Sequence, residues 1–116
     1  MNVVVVKGAL SRAPEVRELP SGSQVVSFEV TVARPGERAE SVPVVWTDPP
    51  KGAAGVGAGE EVVAVGRVRR RFFRAGGRTQ SRTEVVAEAV VPARRRAAVR
   101  KAVGAVVAVL EATASP

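Results

Sequence analysis

The side chains with chemical potential cluster between Gly66 and Arg82. That span holds seven arginines, no acid and two adjacent phenylalanines, Phe72 and Phe73. Guanidinium groups neutralise phosphates, and an aromatic ring gives a base a face to stack on. The chemistry on offer is therefore capture of a polyanion rather than bond making. Side-chain direction decides whether capture is possible. Glu61 to Val65 is rich in valine and free of helix signals, which predicts a strand running on into the arginines. Neighbouring side chains of a strand point to opposite faces. Val62, Ala64, Gly66, Val68 and Phe72 then share one face, read as buried. Arg67, Arg69, Arg71 and Phe73 share the other, read as exposed. Arg70 breaks the pattern and is placed where the buried face reaches the rim. An outward Phe73 in a row of guanidinium groups suits a base held over a phosphate backbone. Arg74, Arg78 and Arg82 fall near the hairpin tip, where they either track phosphates or are simply solvated.

Bulk properties narrow the field. A chain of 116 residues makes one domain with a modest core. Hydrophobic residues are 46% of it, mostly Val and Ala, enough to fold. The formal charge is +7, and twelve of the 18 basic residues lie between Arg67 and Lys101, against only Glu84 and Glu88. Such asymmetry points to a polyanionic partner, with anionic lipid as the rival and a solvated arginine-rich face as the plain alternative. Cys and His are absent, which excludes disulfides, thiolate zinc sites and His-dependent nucleophilic triads. Glu60 and Glu61 are adjacent and diverge on a strand. The glycine-rich stretch 52–59 lacks the Gly-Lys-Ser/Thr ending of a phosphate loop. No enzyme, metal or cofactor is expected. The start of the chain lacks a basic leader, and no run of about 20 apolar residues occurs, so neither a secretory signal nor a membrane span is expected. The expected location is cytoplasmic.

The elements that must position the arginines read as follows. Val3 to Leu10 is a strand with a bend at Gly8. Ala13 to Ser23 is a connection with a turn at Pro20 to Gly22. Gln24 to Arg34 alternates, with Val26, Phe28, Val30 and Val32 on one face, as in a half-buried strand. Ser41 to Thr47 is a short strand containing Pro43. There, with Val45 facing in, Trp46 faces out; the alternative for Trp46 is a core filler. Asp48 to Gly59 is a loop. Glu61 to Arg74 and Thr79 to Val91 form a hairpin turning at Ala75 to Arg78, with Thr83, Val85, Ala87 and Ala89 on one face. From about Arg95 to Ala112 the period becomes helical, with Val99, Val103, Val106, Val107 and Leu110 in one stripe. Five strands followed by an amphipathic helix predict a mainly β, closed five-stranded barrel over residues 1–92, then a basic helix and short tail over 93–116. An open two-layer sandwich is the competing architecture.

The segments Asn2 to Leu10, Pro14 to Gly22, Val25 to Arg34, Gly59 to Phe73 and Ser81 to Glu88 resemble, in order and spacing, the bacterial single-stranded DNA-binding protein family. The similarity spans about Asn2 to Val91. It implies an oligonucleotide-binding barrel, a homo-oligomer (dimer or tetramer), and sequence-tolerant binding of single-stranded DNA in replication, repair or recombination. It places Trp46 and Phe73 at stacking positions, with Arg69 and Arg71, and additionally Arg67 and Arg34, as their basic neighbours. Arg74 and Arg82 complete the candidate nucleic-acid contacts. Val63 and Val65, sharing the outward parity, are the expected subunit contact.

Four departures from the family pattern stand out. Glu40 or Ser41 occupies the place of a further aromatic. A Gly/Pro loop replaces a helix between the third and fourth strands. The acidic-tipped tail that recruits other proteins is missing. A basic amphipathic helix stands in its place, read foremost as a cover for the barrel end and alternatively as a contact with its own copy in another subunit. A membrane-surface role is disfavoured because the helix has no aromatic anchor. Together these describe a shortened or paralogous member without tail-dependent partners. The alternatives to DNA binding are an oligomeric accessory subunit with weak nucleic-acid affinity and an RNA-binding barrel.

Overall fold

A computed structural model describes residues 1–114. Six strands precede one helix: β1 (Val4–Leu10), β2 (Glu15–Glu18), β3 (Gln24–Val32), β4 (Glu40–Thr47), β5 (Glu61–Ala75), β6 (Arg78–Pro92) and α1 (Arg96–Ala114). The order is β1-β5-β6-β4-β3-β2, and β1 also pairs with β3. That second pairing closes a five-stranded ring, β1-β5-β6-β4-β3, as expected of an OB-fold. The β4–β6 pairing is parallel; every other pairing is antiparallel. The short strand β2 lies outside the ring on β3. It was expected as plain connection, because all four of its side chains are exposed and leave no hydrophobic pattern.

The core follows the valine alternation. Val26, Phe28 and Val30 of β3 meet Val44 of β4, Val62 and Ala64 of β5, Val85, Ala87 and Val90 of β6, and Leu10 of β1. In β6 the inward parity changes from Val90 to Ala87, because the register shifts opposite Val65 and Gly66 and leaves Glu88 without a partner. Ala89 therefore faces out, not in as its spacing from Ala87 predicts. Two glycines permit the closure. A Cβ on Gly66 would collide with the carbonyl oxygen of Val86, and one on Gly8 with that of Thr31. The Asn2 side chain prolongs the β1–β5 ladder: its Nδ2 donates to the Val68 carbonyl at 2.7 Å and its Oδ1 accepts from the Val68 N–H at 2.9 Å.

The barrel end is filled differently from expectation. Ala54 and Val56 of the 48–60 loop pack against the core, so this loop takes the place of the missing helix. The C-terminal helix lies elsewhere. It packs on β5 and β6, where Ala102, Ala105 and Val106 share a cleft with Val65, Gly66 and Ala89. Val63 and Val65 are each only 4% exposed in the single chain. They are not the open subunit contact that their parity predicts, because the chain covers its own outer face there.

Gly66→Ala should lower stability by about 1–3 kcal/mol, the usual cost of overpacking, read as a drop in thermal midpoint. An unchanged midpoint would show that β6 yields easily at the bulge.

Candidate nucleic-acid interface

Past Val68 and Val85, where β6 still pairs with β4, the two long strands leave the ring and continue as a two-stranded ribbon to the turn at Gly76 and Gly77. Opposed residues of an antiparallel pair share a face. Arg69 opposes Glu84, Arg71 opposes Arg82, and Phe73 opposes Gln80, so these six lie on one face. That face looks across a cleft of about 380 Å³ at the outer sides of β2, β3 and β4. Val25, Ser27, Pro43, Val45 and Thr47 form the floor, and Arg12, Glu15, Arg17 and Glu29 line the far wall. Arg12 and Arg17 are groove residues that the sequence did not reveal; the irregular connection around β2 hid them. Five arginines against three glutamates make the groove electropositive.

One buried charge organises the ribbon side of the groove. Glu84 is 3% exposed and accepts from Arg69 Nη2 at 2.7 Å, while Arg71 Nε lies 3.3 Å from the same oxygen. Its carboxylate leaves water only because two guanidinium groups accompany it. The two arginines are almost half exposed, so their outer edges remain open to the groove. Arg71 is fixed further by the Phe73 ring, whose centroid is 5.3 Å from its Cζ, inside cation–π range. Arg12 is held by Glu29 at 3.2 Å. Among the described residues, Arg17 and Arg82 have no acidic partner.

The remaining expected contacts scatter. Arg67 lines the cleft beneath α1 and not the groove. Arg34 pairs with Glu37 at 3.5 Å in the β3–β4 connection. Arg74 donates to the Gly77 carbonyl at 3.1 Å across the hairpin turn. Trp46 points the other way from its expected direction. It opposes Val26, so it shares the core side of the sheet and packs against the core, while Val45 faces the groove. Phe72 was expected in the core and is 66% exposed. Its parity was read correctly, but the ribbon outruns the barrel and no core lies beneath it.

The comparisons with known proteins agree with this barrel. Residues 1–93 match the model of the single-strand binding protein family. The chain belongs to that family. It is also 36% identical over 99 residues to the single-stranded DNA-binding protein of Oceanobacillus iheyensis, covering 78% of this chain and 62% of that relative. The chain thus spans about three fifths of the relative's length. The family match ends before Arg94 and so excludes α1. No helix of the described residues is long and apolar enough to cross a membrane.

Glu84→Gln keeps an oxygen that can accept at the Oε1 position but removes the negative charge that both guanidinium groups meet. Stability should fall by about 1–2 kcal/mol, the low end for charged hydrogen bonds because the arginines stay partly hydrated. A urea midpoint equal to wild type would mean that Glu84 anchors nothing.

Proposed function

We propose that the protein binds single-stranded DNA with little sequence preference, in replication, repair or recombination. The strand lies in the groove between the ribbon and the outer faces of β2, β3 and β4. Phe73 stacks a base, Arg69, Arg71 and Arg82 neutralise phosphates on the ribbon side, and Arg12 and Arg17 do so on the far wall. One observation carries this reading: Arg69, Arg71, Arg82 and Phe73 share one ribbon face, with Arg71 already held over the ring. A ring and guanidinium edges bind any base and any phosphate, which is why binding tolerates sequence. The relative, a single-stranded DNA-binding protein, supports the same ligand. The protein acts as a binding module, with residues 93–116 appended to a barrel of residues 1–92.

Association of several copies belongs to this proposal. Because Val63 and Val65 are covered, an intersubunit contact falls to apolar side chains that remain exposed in the single chain, such as Val5 and Val107. A second reading has a specific observation behind it. With Trp46 turned to the core, Phe73 is the one aromatic left on the groove side. That favours an oligomeric accessory subunit of weak affinity, if oligothymidine fails to bind at low salt. Competition between DNA and RNA oligonucleotides of equal length tests the RNA alternative through the 2′-hydroxyl.

Phe73→Ala should weaken binding to every sequence by about 1–3 kcal/mol without changing the fold. The paired change Arg69→Ala and Arg71→Ala should flatten the log–log salt dependence by about 0.7 per lost phosphate contact. Wild-type affinity and slope in these variants would remove the groove from the binding site. Trp46, the single tryptophan, lies outside the groove. Its emission should stay within a few per cent of its free value when a short strand fills that groove; strong quenching would place the strand elsewhere.

A further inference from the structure

The ribbon has a second face that the groove does not use. Val68, Arg70, Phe72 and Arg74 of β5 alternate onto it, opposite Val85, Thr83, Ser81 and Thr79 of β6. Beyond Val68 it carries two cations, one ring, three hydroxyls and no acid. Phe72 is 66% exposed, second only to Met1 at 71% among the exposed large hydrophobic side chains. It does not stand alone. The Cζ of Arg70 sits 5.7 Å from the ring centroid. Arg70 is itself held, donating from Nε and Nη2 to Ser81 Oγ at 3.3 and 3.1 Å. The two faces are therefore built alike: each presents a phenylalanine and an arginine fixed beside it, one residue out of step.

We infer that this second face, centred on Phe72 and Arg70, is a separate contact for single-stranded nucleic acid, reached when a strand is long enough to pass from the groove over the ribbon edge. This rests on the groove binding proposed above. The occupant follows from charge. A second copy stacked face to face on this surface would bring Arg70 and Arg74 against their own kind, with no carboxylate between them. A polyanion with flat bases meets the ring, the guanidinium groups and the hydroxyl donors together. Phe72 is also more accessible than Phe73, which is half-buried beside Arg71.

The test titrates the full chain with fluorescent oligothymidines from about 4 to about 16 nucleotides, the range of site sizes for one such barrel. Wild type, Phe72→Ala, Arg70→Gln and Phe73→Ala are compared, each with its melting temperature and mass in solution. Phe73→Ala should weaken binding at every length. Phe72→Ala should leave the shortest strand unaffected and weaken the longest by about 5- to 140-fold, the worth of one stacked base. Arg70→Gln should act only on long strands and reduce their salt slope by about 0.7. The inference is overturned if Phe72→Ala matches wild type at all lengths, or weakens short and long strands equally. It is overturned too if that variant changes the mass of the assembly, which would make the face a contact between chains. Weakening by Phe72→Ala alone, with Phe73→Ala silent, supports the second face and refutes the groove. No binding by wild type at low salt refutes both.

Discussion

Contact between the backbones of β5 and β6 at Gly66 governs the rest of the molecule. The Val86 carbonyl stands where a side chain on residue 66 would have to go. With no side chain there, β5 can press against β6, the register can slip past Glu88, and the bend that closes the ring forms on the same few residues. The pair then leaves the barrel as one ribbon. Where the arginines point is thus set by a residue that carries no charge and touches no ligand. Gly8 answers it on the opposite strand, where β1 crosses β3.

Electrostatics refine what the backbone sets. A row of free guanidinium groups would repel itself and sample many rotamers. Glu84 draws Arg69 and Arg71 to a single buried oxygen and leaves the outer edges of both in the groove. Some positive charge is lost, and in return two long side chains are ordered before any strand arrives. Preorganisation of this kind lowers the entropic cost of binding.

Much of this was legible in the sequence, and the failures have physical causes. The alternation from Val26 to Val30, the strand from Glu61 and the hairpin each carry a clean period and formed as read; the helix formed too, but Val107 of its stripe stays exposed while Ala102, Ala105 and Val106 meet the sheet. Val44, Val45 and Trp46 are three apolar residues in a row, so period alone cannot choose their inward face. Pairing with Phe28 and Val26 chooses it, and that is tertiary information. Phe72 was misplaced because a pattern reports which side a residue takes, not where the core stops. Val63 and Val65 were misplaced because nothing local announces that a helix thirty residues later folds back over that surface. The groove arginines Arg12 and Arg17 sit in or beside a fully exposed four-residue strand, which has no apolar rhythm to detect.

The double pairing of β1 has a further consequence for how the chain acquires its shape. Val4 meets Gly66 and Val6 meets Ala64, partners about sixty residues downstream. Contacts of such separation form slowly, since loop entropy is lost before they reward it. At a synthesis rate of roughly 5–20 residues per second, the first strand waits several seconds for its neighbour to emerge. Until then β2, β3 and β4, with the end of β1 on β3, are the largest unit that can assemble, and the amino-terminal valines remain an open edge. Closure of the ring is therefore a late event in the life of the nascent polypeptide.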